Sequence, residues 1–208
     1  MKKYWIICIA FFLGLFLSAY HPHDYFTWIL EVFPALIGFA VLFISFNKFR
    51  FTTLAYTLIL IHCYILFIGG HYTYAEVPLF NWFKEIFHLE RNDYDKVGHF
   101  AQGFVPAMIV REIFIRKQIV KHGWIAFLTI SVCGAISAMY ELLEWFVAIT
   151  SGQSSEAFLG TQGDNWDTQS DMLFAFIGAS CMLIFFAKIQ DKSINRINKN
   201  HKIANQNL

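Results

Sequence analysis

The feature that most constrains this chain is a set of six apolar runs, at roughly 4–20, 25–46, 51–70, 97–115, 124–149 and 170–189. Each is long enough to cross a hydrocarbon layer as a helix. None alternates apolar with polar positions, and all are too long for strands, so a β-barrel is excluded. Apolar residues make up 57% of the 208, more than a soluble core of this size needs. The expected fold is therefore all-α: a polytopic membrane helix bundle of about six transmembrane helices. Residues 1–190 form a single membrane domain in this reading, and 191–208, rich in Asn and Lys, a polar cytoplasmic tail. Arg111 and Glu112 interrupt the fourth run near one end, where long side chains can snorkel to the headgroups. Met1–Tyr20 also has the outline of a signal peptide, with Lys2 and Lys3 ahead of the apolar run and Leu17-Ser18-Ala19 as a cleavage site. The rest of the topology is the same either way.

Charge tests this parse independently, because hydropathy alone defined the runs. Of the 16 lysines and arginines, only Lys84, Arg91 and Lys96 fall on one side of the layer and the other 13 on the opposite side. By the positive-inside rule the crowded side is cytoplasmic, an even number of spans follows, and both termini are cytoplasmic. A net charge of +1 excludes a basic nucleic-acid binder and leaves membrane lipids as the expected partners. Cys8, Cys63, Cys133 and Cys181 sit singly inside apolar runs, so they read as small buried hydrophobes.

Two external loops remain. The first, about 71–96, carries Phe80, Trp82, Phe83, Ile86, Phe87 and Leu89, the pattern of a short amphipathic helix lying in the interface. The second, about 150–169, contains Gly152, Gly160 and Gly163, has no Lys or Arg, and ends in the polar run GDNWDTQSD. Ionisable groups inside the spans are informative by their depth. Glu31, His62, His99, Glu141, Glu144 and Asp171 all lie within about 10 Å of the external helix ends, counting 1.5 Å per residue. Asp95, Asp164, Asp167, His71 and Glu76 lie at the same surface. Asp95 and His99 are four apart, as are Asp167 and Asp171, and Glu141 and Glu144 are three apart, so each pair shares a helix face. Small residues continue those faces as Gly134, Ser137, Ala138 and Ala148 on the fifth helix and Ala175, Gly178 and Ala179 on the sixth, which points them inward. The pairs are expected to converge in a pocket open to the outside.

Carboxylates with one or two histidines on neighbouring helices suit a divalent metal such as Zn²⁺, Mn²⁺ or Mg²⁺. Asp95, His99, Asp167 and Asp171 are the candidate ligands, and Glu141 and Glu144 the candidate acid and base. Arg91 and Lys96, the main cations on that side, are candidates with Glu76 for binding substrate, the two cations through a phosphate. The competing structural reading makes Asp95, Asp167 and Asp171 helix N-terminal carboxylates and pairs Glu141 and Glu144 with Arg91, Lys96 or a histidine. In that reading Glu31 and His62 are buried hydrogen-bond partners. Ser137 and Ser170 lack a nucleophile elbow, and no phosphate loop or dinucleotide fingerprint is present.

Four segments carry a family resemblance: Tyr72 to Pro78 (YTYAEVP), Arg91 to Phe100 (RNDYDKVGHF), Tyr140 to Trp145 (YELLEW) and Trp166 to Met172 (WDTQSDM). They resemble the YjdF family of bacterial inner-membrane proteins, which implies a location and brings no reaction with it. A more distant likeness is to VanZ-like membrane proteins over about 95–180. It rests on Asp95-Lys96, His99-Phe100, Glu141 with Glu144 in the place of a Gln, and Asp171 with Gly178; Ala175 stands where that pattern carries Asn. The likeness implies a role in the cell envelope. The leading expectation is action on, or binding of, an envelope lipid or glycan precursor at the external pocket. A proton- or cation-coupled transporter needs ionisable groups at several depths, and the inner halves of the helices read as nearly bare. A scaffold without chemistry would use the aromatic loop 71–90 as its contact surface.

Overall fold

The computed structural model describes residues 2–151, 162 and 164–206, and among these it is helical without any strand. The helices are α1 (Lys2–Ala19), α2 (Tyr25–Ser45), α3 (Thr53–Tyr72), α4 (Pro78–Phe87), α5 (Tyr94–Lys117), α6 (Ile125–Ser151), α7 (Asp167–Cys181) and α8 (Ala187–Gln206). A π-helical turn, Met182–Phe186, joins α7 to α8 without a break. Five stretches are long and apolar enough to cross a membrane: α1, α2, α3, His122–Thr150 and Asp167–Ile197.

The fourth expected span is α5, and it differs from the others for a physical reason. Its 24 residues would reach about 36 Å at 1.5 Å per residue. Its composition is more polar because it is the central helix, packed against α3, α6 and above all α7, with Asp95, His99, Arg111 and Glu112 buried against its neighbours. Around it, α1 and α2 pack on α3, and α6 packs on α7.

Backbone approach sets the α5–α7 pair. A methyl group built on Gly103 would lie 1.8 Å from the carbonyl oxygen of Ala175, and one built on Gly178 would lie 2.0 Å from that of Phe100. Only glycine permits this crossing, as in small-residue packing of membrane helices generally. Helix α6 contributes a stripe at four-residue spacing, Ile125, Thr129, Cys133, Ser137 and Glu141, all buried. Between the ends of the bundle lies an apolar core around Ala107, Met108, Cys133, Ala179 and Met182.

The helix ends follow their local chemistry. Asp24 caps α2, its carboxylate accepting the Thr27 N–H at 2.7 Å. That backbone bond holds its carboxyl below the usual carboxylate range. Pro78 opens α4, and His88 closes it in the left-handed region. Along α4, Leu79, Trp82, Ile86 and Phe87 are exposed, the apolar face expected of an interfacial helix.

Two expectations are corrected. Arg111 and Glu112 do not snorkel outward. Glu112 is fully buried and accepts from the Thr52 N–H and hydroxyl, both at 2.8 Å, and from Arg116 at 2.8 Å. Arg111 donates to Gln190 at 2.8 Å and pairs with Asp191 at 2.8 Å, while Gln190 donates to the Met108 carbonyl at 2.6 Å. A buried pair satisfied on every side costs less than exposing these chains sideways to lipid. The inner half of the bundle is therefore not bare. The stretch after Gln190, expected as a polar cytoplasmic tail, is helical as far as Gln206. The external loop expected near 150–169, with Gly152, Gly160 and Gly163, falls mostly outside the described residues.

Two outcomes test this packing. Gly103→Leu or Gly178→Leu forces the two backbones apart and is expected to destabilise the purified protein by at least the 1–3 kcal/mol or so of an overpacked core, read as a lowered midpoint of thermal unfolding in detergent. Asp24→Ala is expected to cost about 1 kcal/mol at neutral pH. The cap's contribution is present above the unfolded carboxyl value and is lost as pH falls through the lowered folded one. The difference between Asp24→Ala and the parent should therefore shrink in acid.

Candidate functional site

The external end of α5 begins in a loop organised by Asn92. Its side-chain amide donates to the Val77 carbonyl at 3.1 Å and to Asn81 at 2.7 Å, while its own side-chain oxygen accepts the Tyr94 N–H at 3.1 Å. Gln162 bonds both the N–H and the carbonyl of Asn92, at 3.0 and 2.9 Å. This fixes where α5 starts, and hence the direction of its first two turns.

On that face, Asp95 and His99 meet Asp171 of α7. One ligand atom from each lies within 4.8 Å of the others, and all three residues are buried. His99 Nε2 is 3.4 Å from Asp95 and 3.8 Å from Asp171, and its Nδ1 is 3.6 Å from Glu141 on α6 and 3.1 Å from Gln102. The imidazole is thus surrounded by three carboxylates from three helices. Asp95 Oδ2, Asp171 Oδ1 and Glu141 Oε1 are buried without a hydrogen-bond partner. Glu144, also buried, lines a cavity of about 210 Å³ beside the cluster, together with Asp95, His99, Gln102, Glu31 and Tyr140.

Arg91 holds a separate set of carboxylates just above the triad. It is hydrogen-bonded to Asp167, lies 3.7 Å from Asp95 and 3.5 Å from Asp164, and is 8% exposed. Burial works against its charge, but the Asp167 hydrogen bond and the carboxylates of Asp167, Asp95 and Asp171 outweigh it and hold the guanidinium more firmly protonated.

The expected site residues therefore separate. Asp95, His99, Asp171 and Glu141 come together, with Glu144 on the adjoining cavity wall. Asp167 leaves the ligand set, because its carboxylate is bonded to Arg91. Arg91 is at the site but its forks already engage carboxylates. Lys96 turns away, to Asp93 at 2.6 Å and over the Phe174 ring. Glu76 is not at the pocket; it is exposed and pairs with His23 at 3.3 Å, between the loops after α1 and α3. Glu31 and His62, expected as structural partners, line the cavity. The residues that sequence reasoning missed are Gln102, Tyr74 and Tyr140. Two had a signal: Gln102 is three residues beyond His99, and Tyr140 is four before Glu144, each on the same face.

Known proteins match along most of the length. The predicted membrane protein family DUF2238 matches residues 3–192. The inner membrane protein YjdF of Escherichia coli (strain K12) is 48% identical over 175 residues, covering 84% of each chain. No solved structure matches. Ala175, the departure from the VanZ-like pattern, is 1% exposed at the Gly103 crossing.

Arg91→Gln would leave Asp167 and its neighbours as uncompensated buried charge. The expected loss is about 3–5 kcal/mol of stability, with partial recovery in Arg91→Gln/Asp167→Asn. Thermal unfolding of the detergent-solubilised variants measures it, and an unchanged midpoint for the single variant would contradict the ion pair's role.

Proposed function

The chain belongs to the DUF2238 family of membrane proteins, and on that footing we propose that it is a bacterial inner-membrane protein holding a divalent metal ion between Asp95, His99 and Asp171. The ion would serve chemistry on the polar end of an envelope lipid or glycan precursor. The location follows the name of the Escherichia coli relative. The observation that carries the metal reading is the charge imbalance of the triad. Three carboxylates approach one imidazole in a buried space, and each keeps an oxygen without a hydrogen-bond donor.

Buried carboxylates at this spacing repel one another, and a cation among them removes the repulsion. Two carboxylates and a histidine suit Zn²⁺ or Mn²⁺. Gln102, whose side-chain oxygen is 3.1 Å from the imidazole Nδ1, orients the ring, as hydrogen-bond acceptors behind metal-bound histidines do. A metal held by these residues would supply Lewis-acid chemistry. Glu144, which lines the cavity beside the triad, would serve there as the general acid or base.

Metal analysis of the purified protein tests the reading. About one equivalent of a divalent transition metal is expected in the parent after equilibration and chelator-free washing. Asp95→Asn/Asp171→Asn is expected to lose it while remaining folded. Equal content in the two proteins would remove the metal from the site.

A further inference from the structure

The cavity beside the triad has one property that the metal does not explain. It reaches from Asp95 to Pro106 along α5, about 16 Å at 1.5 Å per residue, so it extends from the external layer well into the hydrocarbon depth. Glu31 and Pro34 of α2 and Ile136, Tyr140 and Glu144 of α6 line it. These two helices are not among the pairs that pack closely, whereas α2 with α3, α3 with α5 and α5 with α6 all are. Exposed apolar side chains stand beside the lining positions, Ile37 on α2 and Ile136, Met139 and Leu143 on α6. A solute coming from water has no need of such a slot. A lipid does, because its chains can stay in the bilayer while its head passes inward.

The cavity's chemistry narrows the head. Its lining residues include no lysine or arginine, and the buried carboxylates of Glu31, Asp95 and Glu144 face it, with Asp95 Oδ2 lacking a hydrogen-bond partner. Pro34 and Pro106 also line it. A helical proline cannot bond the carbonyl four residues back, so the carbonyls of Leu30 and Gln102 are further acceptors without their helical donors. The wall therefore has a surplus of acceptors, and of carboxyls that a neighbouring cation would hold ionised. An ammonium group that donates hydrogen bonds satisfies both, and a purely anionic head satisfies neither.

We infer that this cavity seats the head of a membrane phospholipid carrying a primary ammonium group, admitted sideways between α2 and α6. The ammonium lies between Glu31 and Glu144, and the lipid phosphate faces the triad. This last part rests on the metal reading, because the metal supplies the positive charge that the cavity wall lacks.

Lipid retention tests it on the full chain in nanodiscs, using phosphatidylethanolamine, phosphatidylcholine and phosphatidylglycerol with identical acyl chains, followed by native mass spectrometry. Metal content is measured on the same samples. The expected result is a preference of roughly ten-fold for phosphatidylethanolamine over both others, equivalent to one charge-assisted interaction. Glu31→Gln/Glu144→Gln should bring that ratio close to one with metal content unchanged. Ile37→Trp/Met139→Trp, which narrows the gap and leaves the polar wall intact, should slow lipid exchange and serves where the first pair proves unstable. Metal bound without any ethanolamine preference overturns the headgroup inference and leaves the proposed function standing. A preference that needs Glu31 and Glu144 in a protein that binds no metal supports the headgroup seat and removes the metal. A preference unchanged in Glu31→Gln/Glu144→Gln overturns the seat.

Discussion

The α5–α7 crossing at Gly103 and Gly178 is the constraint on which the site depends. Because the Gly103 backbone abuts the Ala175 carbonyl, the two helices are locked in register at that level. They run in the same direction, so each step of four residues outward climbs both helices equally, by about 6 Å. The first step from Gly103 and Ala175 reaches His99 and Asp171, which are 3.8 Å apart. The second reaches Asp95 and Asp167, both gathered by Arg91. The carboxylates thus meet because two glycines far from them admit no side chain. A larger residue at the crossing would misalign the ladder without touching any ligand.

Two polar layers result, at opposite ends of α5, and they do different things. The layer around Glu112 is closed: its carboxylate accepts from Thr52 and Arg116, and Arg111 engages Gln190 and Asp191. It ties the start of α3 and the start of α8 to the inner end of α5. The layer around His99 is open, with orphaned carboxylate oxygens and a cavity beside it. Between them Val105, Ala107, Met108 and Met182 are buried and apolar. On α5 no ionisable group stands between Gln102 and Arg111.

The fold was legible because the solvent dictates it: a run of about 20 apolar residues in lipid has no alternative to a helix. The helix faces of the site were legible for the same geometric reason, since spacings of three and four residues align side chains whatever surrounds them. Partner choice was not. Asp95 and Asp167 have the same local signature, an acidic residue four before a second site residue, yet Asp95, though also beside Arg91, faces His99, whereas Asp167 is hydrogen-bonded to Arg91. Only the α5–α7 register distinguishes them. Arg111 and Glu112 misled because hydropathy sees charge near a helix end and cannot see that Thr52, Arg116 and Gln190 wait there. Glu76 misled because a loop residue's height does not give its bearing, and the turn after α3 aims it at His23.

The open layer raises a question that its closed counterpart answers by contrast. In the Glu112 network every described charge finds a partner of opposite sign or a donor, as buried ionic groups must if folding is not to suffer. Around His99 the same chain leaves Asp95, Asp171 and Glu141 each with an oxygen lacking a donor, even though Arg91 lies one turn away. A bundle able to satisfy one buried carboxylate so fully has the means to satisfy three more with ordinary side chains. Their oxygens stand instead around a single imidazole, beside a cavity, and this contrast with the Glu112 network is what supports the proposed cation.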